Sequence, residues 1–221
     1  MARCVILSAG RVEHPALLKA YLRPDDWFVA ADGGLCLAER LGVTPSLLVA
    51  DFDSGQAPST EAYPDLEIRQ FPPEKDWTDT LAAAITALER GARDFLLLGA
   101  TGGRLDHTLA NLAVLLYLRK HGAQAMAVDE WDQIQMLLPG DYILPVQKGW
   151  RLSLLAYGGE VRGVTLQDVQ YPLKDAVLTP DYPLGISNEF TDRPARISFR
   201  EGILMQLITR DDPASAFLPR R

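Results

Sequence analysis

Aspartate recurs at one kind of place in the first half of this 221-residue chain. Asp32 follows the apolar run 28–31, Asp51 and Asp53 follow 47–50, Asp76 and Asp79 come after 68–71, and Asp106 comes after 95–98. Each run is short and β-rich, so these carboxylates sit just beyond strand ends, where open α/β sheets bind ligands. Side chains alternate along an extended backbone, which puts Asp51 and Asp53 on one side together. Carboxylates gathered in one crevice repel by roughly 4 kcal/mol per pair at 4 Å and an effective dielectric near 20. A bound cation removes that repulsion. Oxygen donors without convergent His or Cys select a hard ion, and Mg²⁺, which keeps waters and bridges to phosphates, is the expected one. Taken singly, Asp32 or Asp76 reads as a turn former or helix cap, and Asp106 as the cap of a helix starting at His107. Nothing about a turn, however, requires the same-facing pair Asp51 and Asp53.

The stretch 99–107 supplies the complementary charge. Gly99, Gly102 and Gly103 let backbone N–H groups approach an anion, Arg104 adds a forked cation, and a helix comes directly after. This is a phosphate cradle. It is neither a Walker A loop, since no Gly-Lys-Ser/Thr follows, nor a Gly-x-Gly-x-x-Gly fingerprint. Gly33 and Gly34 offer a second close approach or a tight strand-to-helix turn. Trp77 reads as a packing residue or as a stacking surface for a ring, and His107 as a hydrogen-bonding residue of the loop or a phosphate contact.

The elements that must position these groups change character near the middle of the chain. As far as Asp129, strands at 4–9, 27–31, 47–50, 68–71, 95–99 and 125–128 alternate with helical patterns, which predicts a parallel sheet covered by helices. Helices over 34–41, 80–90 and 108–121 stop at Gly42, Gly91 and Gly122, where C-caps favour glycine. The last is apolar nearly all round, which predicts burial on both sides. Beyond Asp129 the helical period disappears, and short apolar segments separated by turn markers predict an antiparallel β-sandwich. The expected domains are 1–129 and 130–221.

Composition narrows the function. Twenty-two basic and 29 acidic side chains give a net charge of −7, the wrong sign for a protein that neutralises many nucleic-acid phosphates. The 48% hydrophobic and 23% charged content is that of a globular protein. No apolar run approaches the roughly 20 residues that span a bilayer, and the N-terminal run is too short for a signal peptide. Cys4 and Cys36 form neither a disulfide framework nor a zinc spacing. A cytoplasmic protein binding neither nucleic acid nor membrane is expected.

In order along the chain, Ala31-Asp32-Gly33-Gly34, Asp51-Phe52-Asp53-Ser54, Lys75-Asp76-Trp77-Thr78-Asp79, the long motif Gly99 to Asn111, Gly163 to Leu166, Tyr171-Pro172-Leu173 and Ser187-Asn188-Glu189-Phe190 resemble the thiamine pyrophosphokinase family. The family usually has Gly where this chain has Ala50, an acid in place of Ser46 and a branched apolar residue in place of Gly55. The resemblance implies Mg²⁺-dependent transfer of pyrophosphate from ATP to the hydroxyl of thiamine, giving thiamine diphosphate and AMP. It implies a Rossmann-like first domain, a β-sandwich second domain that contributes to the thiamine pocket and the dimer, and a homodimer with active sites between subunits. Carried over by position, Asp51, Asp53, Asp79 and Asp106 hold Mg²⁺, directly or through waters, with Asp53, Asp79 and Asp106 catalytic. Asp32, Gly33, Lys75, Gly102, Gly103 and Arg104 face ATP, and Thr78, Ser187 and Asn188 border thiamine. Two other readings use the same acids: a Mg²⁺-dependent hydrolase of nucleotides or diphosphate esters, and a non-catalytic thiamine or nucleotide sensor.

Overall fold

The computed structural model of the chain describes residues 2–50, 63–71 and 77–210. They fall into two compact units, Met1–Glu130 and Trp131–Arg221.

In the first unit β1 (Cys4–Leu7), β2 (Trp27–Ala31), β3 (Leu47–Ala50), β4 (Glu67–Gln70), β5 (Asp94–Leu98) and β6 (Gln124–Val128) pair in parallel in the order β6-β5-β1-β2-β3-β4. β1 and β3 are apolar and buried along their whole length, as strands covered on both faces must be. Four helices accompany the described strands: α1 (Pro15–Leu18), continued by a 3₁₀ turn (Lys19–Tyr21), α2 (Gly34–Leu41), α3 (Asp79–Glu89) and α4 (Leu105–Lys120). Leu18, Leu37, Ala38 and Leu41 pack against Val5, Leu7, Leu96 and Leu98, while α3 lies against β1, β2, β3 and α4. From β1 the chain builds outward to β4 and then returns to place β5 and β6 on the other side of β1. The loops leaving β1 and β5 therefore diverge, and such a switch point opens a crevice beyond the carboxyl ends of the strands.

Helix ends obey their chemistry. The Thr78 hydroxyl accepts the Leu81 N–H at 3.3 Å and starts α3. Gly42, at φ +69°, ends α2 by donating its N–H to the Ala38 and Glu39 carbonyls. Two expectations for α4 are corrected. It starts at Leu105 rather than 107 or 108, so Asp106 lies inside its first turn. Nor is the whole helix buried: Val114, Leu115 and Leu118 are, but Leu105 is 71% and Leu109 55% exposed. Apolarity spread around a helix gives it no preferred face, so the pattern could not say which end was covered.

In the second unit β7 (Asp132–Leu137), β8 (Gly140–Leu144), β9 (Trp150–Ala156), β10 (Val161–Gln167), β11 (Leu173–Leu178), β12 (Gly185–Glu189), β13 (Ala195–Phe199) and β14 (Leu204–Arg210) form two antiparallel sets, β12-β9-β14-β7 and β11-β10-β13-β8. Leu152, Leu154, Leu204 and Ile208 of one set share a core with Val164, Leu166, Ile197 and Phe199 of the other. This is the predicted sandwich. The strand β12 was not expected: its register breaks between Gly185 and Asn188, Ser187 takes φ +58°, and the bulge hides the alternation.

Candidate functional site

A crevice of about 570 Å³ opens at the switch point. Its wall is built from Ser8 to Arg11 after β1, Ala31 and Asp32 at the end of β2, Trp77 to Thr80 at the start of α3, Gly99, Ala100 and Gly102 to Arg104 after β5, and His107 and Asn111 of α4. Predicted residues that line it are Asp32, Thr78, Asp79, Gly102, Gly103 and Arg104. Gly33 is the residue between Asp32 and α2, with its Cα hydrogen facing the Ala9 methyl: a Cβ there would lie 3.1 Å from it. Asp51, Asp53, Lys75 and Asp76 lie outside the described residues.

Asp32 holds an uncommon conformation for an aspartate, φ +46°, while its N–H donates to the Val49 carbonyl at 2.9 Å. The backbone reversal there carries the carboxylate into the crevice wall. Across the crevice, Gly102 and Gly103 stand in succession at φ +83° and +86°, a region that glycine enters freely and that other L residues rarely adopt. The loop that carries them is tied down. The Asn111 amide donates to the Ala100 carbonyl at 2.8 Å, the Thr101 hydroxyl to the Asp129 carboxylate. On the loop after β1, the Glu130 carboxylate accepts the N–H groups of Glu13 and His14.

Asp106 is engaged differently from the expectation for a bare metal ligand. Arg104 grips its two oxygens with Nε at 3.1 Å and Nη2 at 2.6 Å, and the His107 N–H donates to Oδ1 at 2.9 Å. The guanidinium above all holds the Asp106 carboxyl down, at about 2 against an ordinary 3.8, and Asp106 in turn raises Arg104. Both side chains are largely exposed, at 63% and 73%. The pair thus keeps an anion and a cation together, exposed, at the start of α4; Arg104 lines the crevice, while Asp106 is not among its lining residues.

Among the described residues, no three His, Cys, Asp or Glu side chains group so as to hold a metal ion. The donor chemistry nevertheless fits a hard divalent ion. Asp32 and Asp79 present carboxylates to the same crevice as the cradle, and no cysteine lines it.

Ser187 and Asn188 belong to the second unit. The Asn188 side chain is 6% exposed. It accepts the Tyr171 N–H at 3.0 Å and the Glu189 N–H at 2.9 Å, and donates to the Tyr171 carbonyl at 2.6 Å. Its amide thereby pins β12 to the turn at 171. Ser187 is exposed, with its N–H on the Ser153 hydroxyl at 3.0 Å.

Sequence reasoning missed Ser8, Gly10, Thr80 and Asn111 as parts of the site. The Ser8 and Thr80 hydroxyls meet at 3.0 Å in the buried wall. A Cβ on Gly10 would sit 2.2 Å from the Thr101 carbonyl oxygen, so glycine is required for the two diverging loops to touch. The signal was present: Gly10 comes after β1 as Asp32 comes after β2, but a single glycine with no acid or second glycine beside it resembles an ordinary turn.

Comparison with known proteins agrees with this geometry. Residues 18–127 match the model for the thiamin pyrophosphokinase catalytic domain, and residues 142–204 match that for the thiamin pyrophosphokinase vitamin B1 binding domain. The chain is 30% identical over 199 residues to the thiamine pyrophosphokinase of Bacillus subtilis, covering 88% of this chain and 92% of that one. A crystal structure of thiamine pyrophosphokinase from Bacillus subtilis superposes with a TM-score of 0.85 at 28% identity, over 95% of this chain and 100% of the other. One from Geobacillus thermodenitrificans does so with a TM-score of 0.81 at 31% identity, over 96% and 99%. Among the described residues, no helix is long and apolar enough to cross a membrane.

Proposed function

Because this chain belongs to the thiamine pyrophosphokinase family, we propose that its crevice carries out that family's reaction, transfer of pyrophosphate from ATP to thiamine. The supporting observation is that one cavity is lined by both kinds of charge: Gly102, Gly103 and Arg104 just before α4, and Asp32 and Asp79. The thiamine hydroxyl oxygen bonds to the β-phosphorus, the bond from that phosphorus to the α,β-bridging oxygen breaks, and AMP leaves. Attack at β rather than γ is a matter of placement, so the cradle must grip the transferred end of ATP while Asp32 and Gly33 border the nucleotide. Arg104 and Lys75 neutralise charge on the phosphoryl oxygens, where such transfer gains most of its acceleration. A crevice carboxylate takes up the hydroxyl proton. Asp51, Asp53, Asp79 and Asp106 are the residues that would hold Mg²⁺, and the ion would supply neutralisation of the bridging and terminal phosphate oxygens. Asp53, Asp79 and Asp106 are assigned to catalysis, and Thr78, Ser187 and Asn188 to thiamine recognition. The family resemblance further assigns a cytoplasmic homodimer, and the exposed Leu105 and Leu109 of α4 support burial against a second copy.

The test is to incubate the protein with ATP and Mg²⁺, with and without thiamine, and to track AMP and thiamine diphosphate. AMP formed only with thiamine is the expected result. Nucleotide breakdown without thiamine would identify a hydrolase instead, and binding without turnover a sensor.

A further inference from the structure

Trp77 has no part in the assignment above, yet it stands in the crevice wall with 44% of its surface exposed. An indole exposed inside a concave crevice offers a flat apolar face on which a ligand ring can stack. Its backbone is anchored by the neighbouring helix cap: the Thr78 hydroxyl starts α3 by accepting the Leu81 N–H at 3.3 Å, so the ring is presented from a fixed helix start. Asp79, two residues on, places a carboxylate in the same wall, whereas the cationic Arg104 belongs to the glycine-rich loop of the cradle. An aromatic face suits a positively charged heteroaromatic ring, which gains cation–π attraction on it. A neutral purine would gain stacking alone.

We propose that Trp77 is a specificity-determining residue that carries the cationic thiazolium ring of thiamine on its face. This rests on the pyrophosphokinase reading.

Steady-state kinetics of Trp77→Leu should show the KM for thiamine raised about five- to tenfold and the KM for ATP changed less than about twofold, with Trp77→Phe in between. Thiamine should also quench the intrinsic fluorescence of the wild-type protein, which has 4 tryptophans, and that quenching should vanish in Trp77→Phe. A raised KM for ATP with thiamine unaffected would assign the ring to adenine and overturn the proposal. So would unchanged KM values together with quenching that survives in Trp77→Phe. Failure of the enzymatic reading itself is a separate outcome, seen as wild-type protein that makes no AMP in response to thiamine.

Discussion

Alanine at Gly102 and at Gly103 separates the steric and the chemical demands on the cradle. Both residues lie at positive φ, +83° and +86°, where an L side chain costs roughly 1–2 kcal/mol. A Cβ at 102 would additionally lie 2.7 Å from the Arg11 carbonyl oxygen, whereas a Cβ at 103 would meet nothing within 4 Å. Arg11 is on the other crevice loop and its carbonyl is backbone, so relief at 102 requires the two loops to part, at roughly 1–3 kcal/mol more. With about 2–4 °C lost per kcal/mol in a chain of this size, Gly103→Ala should lower the melting temperature by roughly 2–8 °C and Gly102→Ala by clearly more. Binding should rank differently. The Cβ at 103 enters the open crevice, where it would hold a phosphate away from the loop N–H groups; losing one charge-assisted hydrogen bond raises the KM for ATP roughly tenfold or more. Thermal melts and ATP kinetics on the two variants suffice. A Gly103→Ala protein with an unchanged KM for ATP, or one as destabilised as Gly102→Ala, would refute the placement of the phosphates.

Four further outcomes are expected. Ser8→Ala or Thr80→Val should each cost roughly 1–3 kcal/mol in urea denaturation, because the partner hydroxyl at 3.0 Å is left buried without this bond; the double variant should cost less than the sum. Thr78→Ala should lose roughly 0.5–2 kcal/mol with its helix cap while Thr78→Ser keeps most of it, so equal losses in a thermal melt would contradict the capping role. An NMR titration should place the Asp106 carboxyl at about 2, moving up toward 3.8 in Arg104→Gln. Because the folded value is depressed, the stabilisation from this pair is complete above about 3.8 and disappears as pH falls through about 2. Asp106→Asn should keep the circular dichroism of the parent and melt a little lower, having lost its exposed ion pair with Arg104, but lose roughly 100-fold or more in thiamine-dependent AMP formation at saturating Mg²⁺; near-normal turnover would remove Asp106 from the metal and catalytic assignment.

The parallel sheet was legible because its buried strands are uninterrupted apolar runs, 4–7 and 47–50 among them, each closed by a polar or glycine residue. The place of Gly102, Gly103 and Arg104 in the crevice wall was legible because a glycine-rich turn between a buried strand and a helix lies where open α/β sheets bind ligands. Three features were not. The strand β12 was obscured by its own bulge at Ser187. The exposure of Leu109 depends on what covers α4, and no local pattern encodes that. The engagement of Asp106 by Arg104 is a contact between residues two apart at a helix start; spacing brought them near, but only the turn geometry decided that they would meet. The reading of Asn188 as a ligand contact also missed a structural duty, because hydrogen bonds to a residue as distant in sequence as Tyr171 leave no trace in the local sequence.

The way the crevice is held bears directly on how it can work. Pyrophosphoryl transfer depends on placement, so a site that had to reorganise its backbone on binding would spend part of its binding energy on ordering loops. Here that ordering precedes the ligand. Gly10 lets the loop after β1 donate its N–H to the Gly99 carbonyl at 2.8 Å, Asn111 secures Ala100 from α4, and the carboxylates after β6 take one loop each, Asp129 through Thr101 and Glu130 through Glu13 and His14. On the proposed assignment, what changes when a polyphosphate and its counter-ion arrive is the exposed Arg104–Asp106 pair, with Arg104 released toward the anion and Asp106 toward the metal. Exchanging an exposed ion pair costs little, since water already screens the attraction that is given up. The fold therefore keeps rigid the part of the site that sets distances and leaves exchangeable the part that carries charge.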